Sequence, residues 1–205
     1  MTTTILHINS SVRSTGSVSR QLTSEFIKKL QAASPGSRVI ERDLAKHPVP
    51  HLTETMMGAY FTAPEQRTPE QAQTVKLSDE LVAELQSADI VVIGAPMYNF
   101  SVSSTLKAWI DHVARAGVTF KYGANGPEGL LKNKKLYVFT SRGGVYSQGP
   151  AKSMDFHETY LRAVLGFLGI TDVSFIHSEG LAMGEEAVNS ALAGSRDAMH
   201  ALIAA

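Results

Sequence analysis

The residues best suited to chemistry stand together in Ala95-Pro96-Met97-Tyr98-Asn99-Phe100. Pro96 fixes the backbone, Met97, Tyr98 and Phe100 supply soft, flat apolar surface, and the main chain around Asn99 offers hydrogen bonds. These groups suit a flat heteroaromatic ring. Aromatic residues packed into a core at a strand end would be spelled the same way, so the surroundings must decide. The stretch follows the apolar run Ile90-Val91-Val92-Ile93-Gly94-Ala95 and precedes Val102, Leu106, Trp109, Ile110 and Val113, which recur at helical spacing. Strand, turn and helix in that order place a loop at the carboxyl edge of a parallel sheet, where open α/β sheets bind ligands.

A second loop of this kind follows the short apolar run Ile5-Leu6-His7-Ile8-Asn9. Ser10 to Ser19 holds five serines, a threonine and a glycine, after which Val18, Leu22, Phe26 and Leu30 lie four apart. Ser17 or Ser19 stands where a helix N-cap belongs. Hydroxyls beside the free N–H groups of a helix start form an anion site, because those groups point outward and the helix dipole favours negative charge. A monophosphate suits it. For any one serine, ordinary capping or solvation is the alternative, and Arg13 either supplements the charge or is solvated. The loop has neither the G-x-x-x-x-G-K-[ST] of a triphosphate site nor the G-x-G-x-x-G of dinucleotide folds. It also lacks a phosphatase-loop cysteine and the acidic pair of a metal-dependent phosphoryl receiver.

A third loop, Ser141-Arg142-Gly143-Gly144-Val145-Tyr146, ends the apolar run Lys135 to Thr140. Paired glycines remove side chains that would keep a flat ligand from the main chain, leaving N–H groups for carbonyl oxygens on its edge. A plain glycine turn is the alternative.

These loops need one α/β domain to position them. The chain has 205 residues, is 43% hydrophobic, and carries no linker, repeat or low-complexity tract, so a single domain over 1–205 is expected. Lys plus Arg and Asp plus Glu both number 19, which lacks the basic footprint of a nucleic-acid binder. No apolar run has the length of a membrane span, and Met1-Thr2-Thr3-Thr4 does not open a secretory signal, so a cytoplasmic protein is expected. Without cysteine, disulfide, iron-sulfur and thiol chemistry are excluded. Redox activity would need a bound organic cofactor or a metal on other ligands.

Around the loops, Val39 to Leu44 reads as an edge strand. Ala45 to Arg67 is a long excursion with Met56, Met57, Tyr60 and Phe61, suited to walling a ligand site or a subunit interface. Its His47 and His51 are separated by two prolines that forbid a regular helix, and no metal site is expected there. Thr68-Pro69-Glu70-Gln71 spells a capped helix start, with Leu77, Leu81, Val82, Leu85 and Ala88 on its buried side. Val118, Phe120 and Tyr122 lead into turn-rich Gly123 to Gly129, a protruding hairpin or loop. Met154 to Gly169 is a helix ending at glycine, Asp172 to His177 an edge strand, and Glu185 to Ala204 a closing helix. Five strands alternating with helices give a flavodoxin-like doubly wound parallel sheet of order 2-1-3-4-5, helices on both faces. Its switch point lies between strands one and three, where a mononucleotide flavin is the expected ligand. Phosphate would lie on Ser10, Ser17 and Ser19, the ring over Pro96 to Phe100, and its polar edge at Ser141 to Gly144.

Ala-Pro-Met-Tyr-Asn-Phe from Ala95, Val113-Ala114-Arg115-Ala116-Gly117-Val118-Thr119-Phe120, Asn125-Gly126-Pro127-Glu128-Gly129-Leu130 and Ser141-Arg142-Gly143-Gly144 closely resemble the bacterial FMN-dependent NADH azoreductases. That family lies within the flavodoxin-like quinone reductases. The resemblance implies a homodimer with one non-covalent FMN per subunit near the interface. It also implies a two-step exchange in which NADH or NADPH reduces the flavin and leaves before a quinone or aromatic azo acceptor enters. Carried over by residue, it makes Ser10, Ser17, Val18 and Ser19 phosphate contacts, Met97, Tyr98, Asn99 and Phe100 ring contacts, and Ser141, Arg142, Gly143 and Gly144 contacts to the polar side. It places Phe120 and the 56–61 segment, Tyr60 and Phe61 included, in the acceptor pocket, in part from the neighbouring subunit. Val18 stands where some relatives carry glutamine, so only its N–H can serve. Tyr146 stands where some carry histidine, and it becomes the candidate proton donor to the acceptor.

Two other classes compete. A flavodoxin-type electron carrier would not oxidise NADH directly, and such carriers tend to be acidic whereas this chain is neutral. A serine hydrolase would draw on the many serines and seven histidines, but G-x-S-x-G is missing after any strand.

Overall fold

The computed structural model describes residues 2–204; Met1, which opens the N-terminal stretch read above, and Ala205 lie outside the described residues. In chain order the elements are β1 (Thr4–Asn9), α1 (Val18–Ala33), β2 (Arg38–Asp43), α2 (Glu54–Phe61), α3 (Pro69–Ser87), β3 (Ile90–Pro96) and α4 (Ser104–Val113). There follow β4 (Phe120–Gly123), β5 (Gly126–Gly129), β6 (Lys135–Ser141), α5 (Phe156–Phe167), β7 (Asp172–Ser178) and α6 (Glu185–Ala204). Five strands form one parallel sheet in the order β2-β1-β3-β6-β7. With the separate β4-β5 hairpin set aside, this is the expected 2-1-3-4-5 arrangement.

The central strands are apolar nearly throughout because helices cover both faces. On one face Leu81, Leu85, Trp109, Ile110, Leu161 and Leu165 pack against Leu6, Ile8, Val91 and Val138. On the other, Leu22, Phe26 and Met199 cover Ile5, Val92, Tyr137 and Phe139. The strands therefore end together at one carboxyl edge, which is where their loops must meet.

Local chemistry sets the helix boundaries. Thr68 and Gln71 form the expected capping box, each accepting the other's N–H at 3.2 and 3.1 Å. α4 starts at Ser104 because the Ser103 hydroxyl accepts the Leu106 N–H, so Val102 lies just outside the helix. α5 starts at Phe156, not Met154: Pro150–Met154 form a 3-10 turn, and Asp155 caps the helix by accepting the His157 and Glu158 N–H groups at 3.1 and 3.0 Å. It stops at Phe167, two residues before Gly169, where φ is +100° and the N–H groups of Gly169 and Ile170 return to Gly166 O and Leu165 O.

The long excursion contains α2, capped by Thr53, and stays irregular around His47 and His51. It is pinned through Tyr60. His112 Nε2 lies 2.9 Å from Pro50 O, which can only accept, so Nε2 carries the proton and Nδ1 accepts the Tyr60 hydroxyl at 2.8 Å. The Arg115 guanidinium stacks 4.2 Å from the Tyr60 ring centre and donates to Ser78 Oγ at 2.6 Å. The resembling motif that contains Arg115 thus joins α2, α3 and α4.

Candidate functional site

At the carboxyl edge the three loops line one cleft of about 430 Å³. Ser11, Arg13, Gly16, Ser17 and Val18 come from the first, Pro96 to Tyr98 from the second, and Ser141 to Gly143 from the third. They are also cross-linked. Met97 N–H donates to Ser141 O at 2.9 Å, and the hydroxyls of Tyr98 and Ser11 stand 3.5 Å apart.

In the hydroxyl-rich loop Ser17 is the N-cap of α1, its Oγ accepting the Arg20 N–H at 3.4 Å. The N–H groups of Val18 and Ser19 have no acceptor among the described residues, as expected for the first turn of a helix. Ser19 is fully buried, with its hydroxyl 3.3 Å from that of Ser17. Ser10 is held against β3. It extends the β1-β3 pairing by one residue, and both its N–H and its hydroxyl donate to Gly94 O, at 3.1 and 2.7 Å. By strand alternation its neighbour Ser11 faces the other way and lines the cleft. Arg13 lines the cleft while exposed. A residue without a motif braces the loop: Arg20 grips Asp43 with two 2.7 Å bonds and donates to Ser11 O at 2.8 Å. That fork holds the Asp43 carboxyl down at about 2.

In the second loop Tyr98 and Ser101 exchange two backbone hydrogen bonds, and φ is +47° at Asn99 and +70° at Phe100. Such a two-residue turn is natural for asparagine and strained for phenylalanine. Phe100 is 39% exposed, its ring centre 6.2 Å from that of Tyr146 in an edge-on contact. Asn99 and Phe100 lie beyond the lining of the cleft, whereas Pro96, Met97 and Tyr98 belong to it.

In the third loop the carbonyls of Arg142, Gly143 and Gly144 accept the N–H groups of Leu181, Ala182 and Gly180, at 3.1, 3.0 and 3.0 Å. Because N–H and C=O of a trans peptide point oppositely, the N–H groups of Gly143 and Gly144 face away from that segment. Neither has an acceptor among the described residues. Gly144 also makes room for Tyr146, since a Cβ there would meet the tyrosine ring at 3.3 Å. Leu181, Ala182 and Val188 join the lining, and no sequence motif marks them. The available signal was positional, since the loop after the last strand of a parallel sheet must share the same edge.

Arg142 lines the cleft through its backbone. Only its main chain faces the ligand side: its side chain is completely buried and bonds Asp155 and Glu179, both at 3.0 Å. Beside them His157 is fully buried, with neither ring nitrogen partnered among the described residues. Burial, and then the Arg142 charge, push its pKa down to about 4. Burial also lowers His112 and His177. The unfolded chain therefore binds more protons than the fold below pH 6.5, so stability is full above that pH and drains away toward pH 4. We expect His157 alone to account for about 3 kcal/mol of that loss. Urea unfolding between pH 7 and pH 4.5 checks it, with His157→Leu flattening the profile.

The expected acceptor-pocket residues divide. Tyr60, Phe61 and Phe120 line a second cavity of about 240 Å³, which shares no lining residue with the cleft. Tyr146 borders a third depression, near Lys152 and Arg162. Within one chain, then, Tyr146 and the other three do not form a common pocket.

The flavodoxin-like fold family matches residues 3–203. The FMN-dependent NADH:quinone oxidoreductase of Herminiimonas arsenicoxydans is 61% identical over 203 residues, covering 99% of this chain and 100% of that protein. The protein of the same name from Azotobacter vinelandii is 50% identical, covering 94% and 96%. Among solved structures, the azoreductase from Bacillus anthracis str. Sterne superposes with a TM-score of 0.89 at 32% identity, covering 97% of this chain and 98% of that one. An FMN-dependent NADH-azoreductase from Bacillus anthracis str. Ames Ancestor, solved in complex with FMN, superposes at 0.84 and 27% identity, covering 99% and 100%. The chain belongs to the flavodoxin-like fold family and, within it, groups with the proteins named FMN-dependent NADH:quinone oxidoreductase.

Proposed function

We propose that this chain, as one domain over 1–205, is an FMN-dependent NADH oxidoreductase that reduces quinones and aromatic azo compounds by a two-step exchange. The observation that carries this is the meeting, in one cleft, of a helix start with free N–H groups, an apolar-aromatic strand end and the glycine loop, which enters it at Gly143 with a free N–H group. They match a phosphate, a flat ring and that ring's carbonyl edge in turn. When bound, FMN supplies the hydride-accepting and electron-donating chemistry between nicotinamide and acceptor. The chain's own groups bind and orient. Ser17 and the N–H groups of Val18 and Ser19 hold the phosphate, with Ser10 bracing β1 against β3 behind them. Pro96, Met97 and Tyr98 support the ring, and Asn99 and Phe100 form its rim. Ser141 and the Gly143 and Gly144 N–H groups meet the polar edge and stabilise negative charge there. The name shared by the relatives, together with a neutral chain, sets aside the electron-carrier alternative.

The acceptor is finished in a homodimer. In support, Phe61 and Tyr122 are 73% and 75% exposed beside the second cavity, an apolar surface suited to a second copy. A second copy would bring Tyr60, Phe61 and Phe120 toward the cleft of its partner. The acceptor's proton comes from the Tyr146 hydroxyl or from water held there. No helix among the described residues is long and apolar enough to cross a membrane, and we place the protein in the cytoplasm, acting on small molecules without a nucleic-acid or membrane partner.

Initial rates with NADH and a benzoquinone varied together test the exchange. Parallel double-reciprocal lines are expected; intersecting lines would show a ternary complex and contradict it. Tyr146→Phe should lower quinone and azo turnover about 100-fold or more at high pH, where bulk protons are scarce, with FMN affinity unchanged. An unaltered pH profile would remove Tyr146 from the proton path.

A further inference from the structure

Glycines cannot hold the 142–147 segment in shape by themselves, because they are the least constrained residues in any chain. The bonds from Leu181, Ala182 and Gly180 hold its carbonyls, and a second restraint comes from Glu179, just past the end of β7. Its Oε1 accepts the N–H groups of Tyr146 and Ser147 at 2.9 and 3.0 Å, and its Oε2 accepts the Ser147 hydroxyl. Arg142 Nη1 donates to the same Oε1 at 3.0 Å. One carboxylate thus grips the chain on both sides of Gly143-Gly144. The same Arg142 Nη1 also lies 3.0 Å from Asp155, which at the same time caps α5. Burial alone would raise the Glu179 pKa, yet the bonds from Ser147, Tyr146 and Arg142 outweigh it and keep the group ionised. The Glu179 side chain itself is only 12% exposed, and its four donors are all charged or aligned by the loop it shapes.

We propose that Glu179 is a positioning residue for the cofactor: by tying Arg142 on one side and Tyr146 and Ser147 on the other, it sets the spacing at which Gly143 and Gly144 offer their N–H groups to the ring's polar edge. The inference rests on the flavin reading above and adds a residue outside the three loops. It is not among the residues lining the cleft. Its effect should fall on the ring and spare the phosphate, which is held by a different loop.

Equilibrium titration of the apoprotein with FMN and, separately, with riboflavin tests it, read by quenching of flavin fluorescence. In Glu179→Gln, which is isosteric and keeps an acceptor but loses charge assistance, both dissociation constants should rise by roughly three- to tenfold. In Glu179→Ala both should rise more than about tenfold. The FMN-to-riboflavin ratio should stay at its wild-type value in each, whereas Ser17→Ala should change that ratio. Thermal melting identifies a variant that fails to fold, and the glutamine variant keeps the test open if the alanine variant does. Folded Glu179→Gln that binds both flavins within twofold of wild type would overturn the inference, as would a loss confined to FMN. Wild-type protein that binds neither flavin would overturn the flavin reading and this inference with it.

Discussion

Replacing Gly129 with alanine should lower the melting temperature by roughly 10 °C or prevent folding altogether. A Cβ at this position would lie 2.1 Å from Gly169 N and 2.3 Å from Leu168 C, distances no packing tolerates. Both obstacles are backbone, so nothing flexible can turn aside. Gly169 cannot yield either, because its φ of +100° closes α5 through the two return hydrogen bonds. Overpacking of a yielding core costs about 1–3 kcal/mol, and an unyielding backbone contact should exceed that; for a chain of this length each 1 kcal/mol is about 2–4 °C. The damage should be local in its first effect. The β4-β5 hairpin seated here carries Phe120, whose ring centre lies 4.4 Å from that of Phe167, and Tyr122 at its exposed edge. Any folded fraction should therefore keep its flavin colour while losing acceptor turnover. Calorimetry with parallel quinone assays checks this; a melting temperature within 2 °C of wild type would refute the contact.

Arg142→Met should be as damaging for an electrostatic reason. The guanidinium is completely buried between Asp155 and Glu179, themselves 11% and 12% exposed. Removing it leaves two carboxylates facing one another with their counter-charge gone, a change that costs about 3–5 kcal/mol when a buried pair is broken from one side. Urea unfolding at pH 7 measures it. The loss should shrink in Arg142→Met/Glu179→Gln, because one of the stranded charges is then neutral. Equal losses in the single and double variants would mean that packing, not charge, is what Arg142 provides.

The parts of this protein that could be read from its sequence are those whose cause is local. Hydrophobic periodicity marked β1, β3, β6 and their helices, and Thr68 to Gln71 announced a helix start in four letters. The cleft was legible because parallel strands send their following loops to one edge, so three unrelated stretches could be placed side by side. What stayed hidden depends on partners distant in the chain. Nothing near Arg142 in sequence shows that Asp155 and Glu179 draw its side chain inward. Ser10 and Ser11 are identical letters, and only the β1-β3 register decides which hydroxyl is spent on Gly94 O. Glu179, Leu181 and Ala182 follow an edge strand whose own residues carry no motif, and they act largely through main-chain groups that any residue type possesses. The separation of Phe61 and Phe120 from Tyr146 is likewise invisible in one dimension.

The central claim is that the cleft holds FMN and that this flavin passes electrons from NADH to an acceptor. Mixing the FMN-loaded protein with NADH in the absence of oxygen tests it most directly. The yellow absorbance should bleach with one equivalent of NADH per flavin and return on addition of a quinone. Protein that takes up no FMN, or a loaded protein whose colour NADH leaves unchanged, would contradict the account.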